Sequence, residues 1–413
     1  MAGTVSEGLA QPQLWWHQFP APLRQLAIVR LVASFGAGGV LYLTPMVFHR
    51  AHFSASAVGV GLALAALAGT VARFASGALL DRGRSCGLPV LLAGACGVGG
   101  DLILLAANHL PAYVAGQLLL GIAGGLYWPA VEVAVPLCAA PQPSARAYAL
   151  VRSTDAAGVA GGTLAGAALA ALGQLRGIYL VDIAAVAVLV SLLLRRPLPA
   201  LPRRGGRGDR AIPLEFWLPP LLPLLGVALV ATAVPALLQS ALPLDLVRGG
   251  LARSAQPDGI SALLLGLQLG LLLLLQWPVG QALAKQPVAV GLGLSLVCFS
   301  LGGVLLALSA FSSQGVALVL LALLPLSLGE AAFLPTATEA LVELSPARHG
   351  GLAMALFSQC FALSAFASPL LSGVLLDAHR HGVVLWSLLA LLCALSLVLV
   401  APIQRLTARG SGR

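Results

Sequence analysis

Arg152 and Asp155 stand three residues apart in a stretch otherwise rich in alanine and glycine. That spacing puts both side chains on one helix face. At a rise of about 1.5 Å per residue they lie roughly 12–16 Å along their helix. Such a pair either neutralises itself, or its arginine receives a polar group while its aspartate tunes it or carries a proton. Glu330 lies at similar depth in a later apolar stretch. A bare charge so far from water is disfavoured, so an isolated carboxyl there suits a proton carrier. Asp101 is a third acid inside an apolar stretch. Arg30 and Arg73 occupy the first two stretches and either snorkel to the headgroups or face the interior. Asp182 is expected close enough to the outer surface to be solvated. Trp128, Gln268 and Gln359, with Tyr127, are the aromatic or polar groups expected to reach a central cavity.

These residues need a scaffold in which charge is rare. The chain has 413 residues, 59% hydrophobic and 9% charged. A soluble domain averages about 25% charged residues. The apolar runs are about 18–25 residues long, enough for a helix to cross a hydrocarbon core about 30 Å thick. They lack the alternation of outer-membrane strands. Helices, which satisfy their own backbone, remain. Spans are predicted at about 25–48, 57–80, 88–107, 111–137, 144–171 and 178–194, then at 215–240, 257–282, 288–310, 315–343, 350–376 and 383–403. The expected fold is an all-α membrane protein, with twelve transmembrane helices in two six-helix pseudo-repeated lobes. The N-terminal lobe covers 1–194 and the C-terminal lobe 214–413. A flexible linker, 195–213, holds the basic run from Arg203 to Arg210.

Six spans plus six put both termini on one side. Arg50, Arg176, Arg248, Arg253 and Arg380 fall on the other side, and fifteen basic residues on the terminal side. That asymmetry makes both termini cytoplasmic, in a multi-pass protein of the inner (plasma) membrane. The same clustering at helix ends argues against nucleic acid as the reason for the net charge of +9. The six cysteines are scattered, without a C-x-x-C pair, and read as apolar fillers. The first twenty residues hold no signal-peptide core, so the first span is expected to serve as an uncleaved insertion signal.

The halves resemble each other. Gly121-Ile-Ala-Gly-Gly-Leu-Tyr-Trp-Pro129-Ala-Val-Glu132 parallels Gly329-Glu-Ala-Ala-Phe-Leu-Pro335-Thr-Ala-Thr-Glu339. Each precedes a loop holding Arg146 or Arg348 and then a small-residue helix. Parallel repeats of this kind mark transporters whose binding site lies between two lobes.

The loop after the second span, Gly77-Ala-Leu-Leu-Asp81-Arg82-Gly83-Arg84, resembles the G-x-L-x-D-R-x-G-R-R signature of the major facilitator superfamily. Ser85 and Cys86 depart from its tail. The counterpart after the eighth span has Lys285 where the acid would stand. The likeness implies a carrier that rocks its lobes about a midplane site. It also implies that Asp81 latches the lobes near Gly350-Gly351, where a carboxylate at a helix N-terminus gains about 0.3–1 kcal/mol. Arg82, Glu132, Arg146, Glu339 and Arg348 complete the expected cytoplasmic gate. The fourth span reads Gln117-Leu-Leu-Leu-Gly121, without the arginine of many proton-coupled relatives. The fifth lacks the proline of many drug antiporters, but Gly158, Gly162 and Gly166 keep a close-packing face.

The expected function is secondary transport of a small organic solute by alternating access, with proton-coupled efflux as the favoured form. Uptake or exchange of an anionic metabolite is the alternative that Arg30 and Arg152 motivate. A polytopic membrane enzyme is the alternative of another class. It is disfavoured because the chain has no H-E-x-x-H, no G-x-S-x-G and no phosphate-binding loop. The expected partners are the solute, the lipid bilayer and protons. No cofactor, metal or nucleic acid is expected, and one chain holding both lobes is expected to work as a monomer.

Overall fold

The computed structural model describes residues 16–141, 144–200, 214–345 and 350–410. Several of its helices begin where the sequence supplies acceptors or prolines. The Ser54 hydroxyl accepts the Ala57 N–H at 3.1 Å and starts α2 (Ala55–Asp81). The His109 ring does the same for Ala112 at 3.2 Å at the start of α4 (Leu110–Ala139). Proline in the first turn opens α1 (Ala21–Arg50). The C-terminal stop of α2 is Gly83, at φ 75°. Gly83 N–H reaches the Leu80 carbonyl at 2.8 Å and Arg84 N–H the Leu79 carbonyl at 3.3 Å. This pairing closes a helix through a left-handed residue, which glycine adopts without strain.

The other long helices are α3 (Gly87–Ala106), α5 (Ser144–Ala171), α6 (Gly177–Arg195), α7 (Leu214–Ser240), α8 (Asp258–Leu283), α9 (Val288–Ser309), α10 (Gly315–Leu344), α11 (Gly350–His379) and α12 (Val383–Ser396). A short helix, Leu242–Arg248, links α7 to α8, and α12 continues through a 3-10 turn into α13 (Val400–Gly410). Among the described residues, eleven helices are long and apolar enough to cross a membrane, where twelve were expected. The long helix that falls short is α5, whose first half carries Arg146, Arg152 and Asp155. The apolar windows of these spans are only 33–61% buried inside the protein. Val71, Phe74, Leu172, Leu274 and Trp277 stand exposed. Apolar surface on that scale belongs in hydrocarbon, so the chain is an all-helical, multi-pass membrane protein.

The packing repeats along the chain. In the first half α1 packs on α5 and α6, α2 on α4, and α3 on α4 and α6. In the second half α7 packs on α11, α8 on α10, and α9 on α10 and α12. Helices α2 with α11 and α5 with α8 join the halves. The glycine face of α5 is where α1 docks. A Cβ on Gly158 would meet the Leu31 carbonyl, on Gly162 the Phe35 carbonyl, and on Gly166 the Leu43 side chain. Only hydrogen lets these backbones approach so closely. The corresponding seam of the second half is polar: Thr232 and Ser364 hydroxyls meet at 2.8 Å between α7 and α11.

The expected linker is ordered where it leaves α6. The Cys86 N–H donates to the Pro199 carbonyl at 3.0 Å and the Ser85 hydroxyl to the Leu198 carbonyl at 2.6 Å. Leu198 is buried, so the chain stays held against the protein past 195. Residues 201–213 lie outside the described residues.

Candidate functional site

Arg30 is 2% exposed in the first half of α1. Its Nε lies 2.9 Å from Asp155 Oδ1 on α5. Ser34, one turn along α1, also donates its hydroxyl to that oxygen. The Arg30 guanidinium sits 3.7 Å from the centre of the Trp128 ring and 5.5 Å from that of Tyr127, both on α4. A desolvated cation over an aromatic face gains about 2 kcal/mol. Arg30 therefore faces the interior and does not snorkel. The pairing inferred from sequence is corrected: Asp155 answers Arg30, while Arg152 is exposed and makes no ion pair among the described residues. Arg73 is likewise exposed.

A cavity of about 360 Å³ opens beside this group. Its wall includes Ser34, Trp128, Asp155, Asp182 and, from the second half, Gln239. Asp182 is 8% exposed and lines this interior cavity, which corrects the expectation of a surface-solvated group. Gly36 of α1 makes the room, because a Cβ there would strike the Asp182 carboxyl. Asp101 on α3 is fully buried, and neither of its oxygens has a hydrogen-bond partner among the described residues. Its acting neighbour is Asp182.

The second half contributes one acid at comparable depth. Glu330 on α10 accepts a hydrogen bond from Gln268 Nε2 of α8 at 2.6 Å. No cation pairs with Glu330 among the described residues. Gln268 is 1% exposed and its backbone carbonyl accepts from Ser327 at 3.0 Å. Gln359 is exposed on α11.

Polar contacts between the halves cluster at one face, the one where α1 ends and α2 begins. Asp377, near the end of α11, accepts the Ala55 N–H at 2.9 Å, the Ser56 N–H at 2.7 Å and the Ser56 hydroxyl at 2.6 Å. This carboxylate caps the N-terminus of α2, where the helix dipole favours it. Arg248 holds the same carboxylate at 2.9 Å. Arg50 pairs with Asp258 at the start of α8. Backbones also close up here: a Cβ on Gly59 would meet the Pro369 carbonyl, and one on Gly373 the Ala55 carbonyl. The sequence signal for Asp377 was an acid near a helix end, but nothing local pointed to a partner in the other half.

The expected gate residues Asp81, Arg82, Glu132 and Glu339 lie at the opposite face, and among the described residues no ion pair joins them. Asp81, Arg82 and Glu339 are exposed, and Glu132 is half-buried. Arg146 bonds Gln18 at 2.8 Å and stacks over Phe19. Arg348 lies outside the described residues.

An all-helical membrane protein with buried charges around a cavity and repeated helix pairing has the makings of a carrier. The Major Facilitator Superfamily profile matches residues 26–298, and the chain belongs to that family. No curated protein matches the sequence. Among solved structures, a POT family transporter in complex with 5-aminolevulinic acid is similar at a TM-score of 0.77 and 12% identity, over 93% of this chain and 97% of that one. The nucleoside transporter NupG is similar at 0.72 and 13%, over 94% and 99%. The peptide transporter POT in complex with sulfate is similar at 0.74 and 13%, over 94% and 96%. At these identities the likeness is one of fold.

Proposed function

We propose that the chain is a secondary carrier that moves a small organic solute by alternating access. In this reading α5 crosses the membrane as a twelfth span, and the lobes 1–194 and 214–413 rock about a midplane site. Both termini are cytoplasmic in the plasma membrane. The structure then corresponds to a state closed toward the outside. The observation that carries the reading is the pairing of charge with a cavity. Asp155 and Trp128 line the cavity in one half, with Arg30 packed against both, and Gln239 lines it from the other. Arg30, Trp128 and Gln268 are the proposed solute contacts, joined by Arg152 and Gln359 from exposed faces of α5 and α11. Glu330, Asp155 and Asp101 are the proposed proton carriers. Efflux is the favoured direction. Uptake or exchange of an anionic metabolite is the second reading, weakened by the neutralisation of Arg30 by Asp155. The structural neighbours act on peptides and a nucleoside, which supports a polar organic solute.

The test is transport of labelled compounds into vesicles holding the purified protein, with and without a pH gradient. A gradient is expected to accelerate flux severalfold. Glu330→Gln should remove that acceleration and leave solute exchange intact, since the amide keeps the bond to Gln268 but carries no proton. Flux indifferent to pH in the parent protein would remove proton coupling.

In the same scheme Asp81, Arg82, Glu132, Arg146, Glu339 and Arg348 would meet when the inner face closes. Asp377 does that work at the outer face. Asp377→Asn weakens charge-assisted bonds, each contributing about 1.5–3 kcal/mol. Loss of one such bond shifts the population roughly tenfold toward the outward-open form. Spin labels at His52 and Arg380 should report a longer distance in the variant. An unchanged distance distribution would rule out the latch.

A further inference from the structure

A hollow of about 410 Å³ lies at the face where α1 begins and α6 ends. Trp16, Arg24, Gln25, Ile28, Leu192, Arg195 and Arg196 line it, together with Ala21. Three arginines converge there and no acid lines the hollow. Arg24 turns one nitrogen to the His17 ring at 2.8 Å, while its Nε is buried without a hydrogen-bond partner. The Gln25 amide donates to the Arg196 carbonyl at 2.5 Å, which ties the start of α1 to the end of α6. A second hollow of about 310 Å³ continues along α6 past Ala187, Val188, Ser191 and Leu192, sharing Leu192 and Arg195 with the first.

We infer that this paired hollow binds one anionic phospholipid in the leaflet on the side of the chain's N-terminus. The phosphodiester sits among Arg24, Arg195 and Arg196. One acyl chain follows the α6 groove toward Ala187. Arginine at a helix end serves topology alone when it points to water. Here the three converge on a concave surface that opens directly onto an apolar groove, which is the shape of a headgroup with its tail. Trp16 lines the hollow just before α1 begins, and indole rings favour the headgroup region. A soluble anion would use the arginines and leave the groove empty. The inference needs the chain to lie in a bilayer, and it is independent of any solute the chain transports.

The experiment uses the full chain, purified in detergent. Native mass spectrometry and thermal unfolding are followed with added phosphatidylglycerol, phosphatidylcholine or inorganic phosphate. Phosphatidylglycerol is expected to leave one retained adduct and to raise the unfolding midpoint, while phosphatidylcholine does neither. Each arginine changed to glutamine should weaken retention about fivefold. Arg195→Gln, at an exposed position, keeps the test alive if the Arg24 or Arg196 variant does not fold. Ala187→Trp should block the groove and reduce retention with the arginines intact. Equal protection by inorganic phosphate would make this a free-anion site and overturn the lipid. Undiminished retention in Arg195→Gln and Ala187→Trp would overturn the site itself. Failure to transport any solute would strike the carrier reading and leave these measurements standing.

Discussion

Asp155→Asn is expected to abolish net transport and to lower stability by about 2 kcal/mol. Breaking a sealed ion pair by removing one partner costs about 3–5 kcal/mol. The lower figure applies because the Asp155 side chain is 22% exposed and water reaches it. Arg30 has no such outlet. Its side chain is 2% exposed, with Trp128 and Tyr127 around it. Arg30→Gln is expected to reduce flux at least tenfold while sparing the fold, since glutamine leaves a smaller, neutral group beside Asp155. The double variant separates two roles. Arg30→Gln with Asp155→Asn restores neutrality, so the unfolding midpoint should return close to that of the parent. Flux should not return if the charges handle solute or proton. Recovery of both stability and flux would reduce the pair to a structural one. Flux is measured in vesicles, and stability by thermal unfolding in detergent.

The residues that carry this prediction show what a sequence reveals and what packing adds. Apolar length announces the spans, because a helix that crosses hydrocarbon has few alternatives. The glycines of α5 announce a close contact, because small residues at every fourth position have little other use in a membrane. The partner of Asp155 was not legible. Sequence offers only neighbours three and four residues away, so Arg152 looked like the partner. The true partners, Arg30 and Ser34, lie on α1, with Ser34 121 residues earlier in the chain. They arrive because Gly158 and Gly162 draw α1 onto α5. Asp182 was misread for a similar reason. It stands near a helix start, where solvation is the ordinary expectation, but Gly36 opens a recess for it. Positive-charge counting treated Arg253 as loop surplus. In the structure it is 2% exposed and held by Asp245.

Asp245→Ala is expected to cost about 3–5 kcal/mol, the price of stripping one partner from a buried ion pair. The pair is sealed on both sides: Arg253 and Asp245 side chains are 0% and 1% exposed, and their charged atoms lie 2.9 Å apart. Asp245 also accepts the Gly382 N–H at 2.9 Å and the Trp386 indole N–H at 3.1 Å. Its loss therefore leaves Arg253 with only neutral acceptors, the Ser309 hydroxyl and the backbone carbonyl of residue 245, and two further donors without one. The consequence travels beyond stability. Asp245 sits on the short helix Leu242–Arg248, and that helix presents Arg248 to the Leu376 carbonyl and the Asp377 carboxylate. Asp377 in turn caps α2 in the other half. Asp245 thus anchors the arm that fastens the proposed outer gate, although it makes none of the gate's own contacts. A partial defect, Asp245→Asn, keeps an acceptor for Trp386 or Gly382 and should fold. In that variant the labels at His52 and Arg380 should separate as they do in Asp377→Asn. Combining Asp245→Asn with Asp377→Asn should then add little further separation, because both act on one fastening. Full additivity would show that the loop network and the latch are independent.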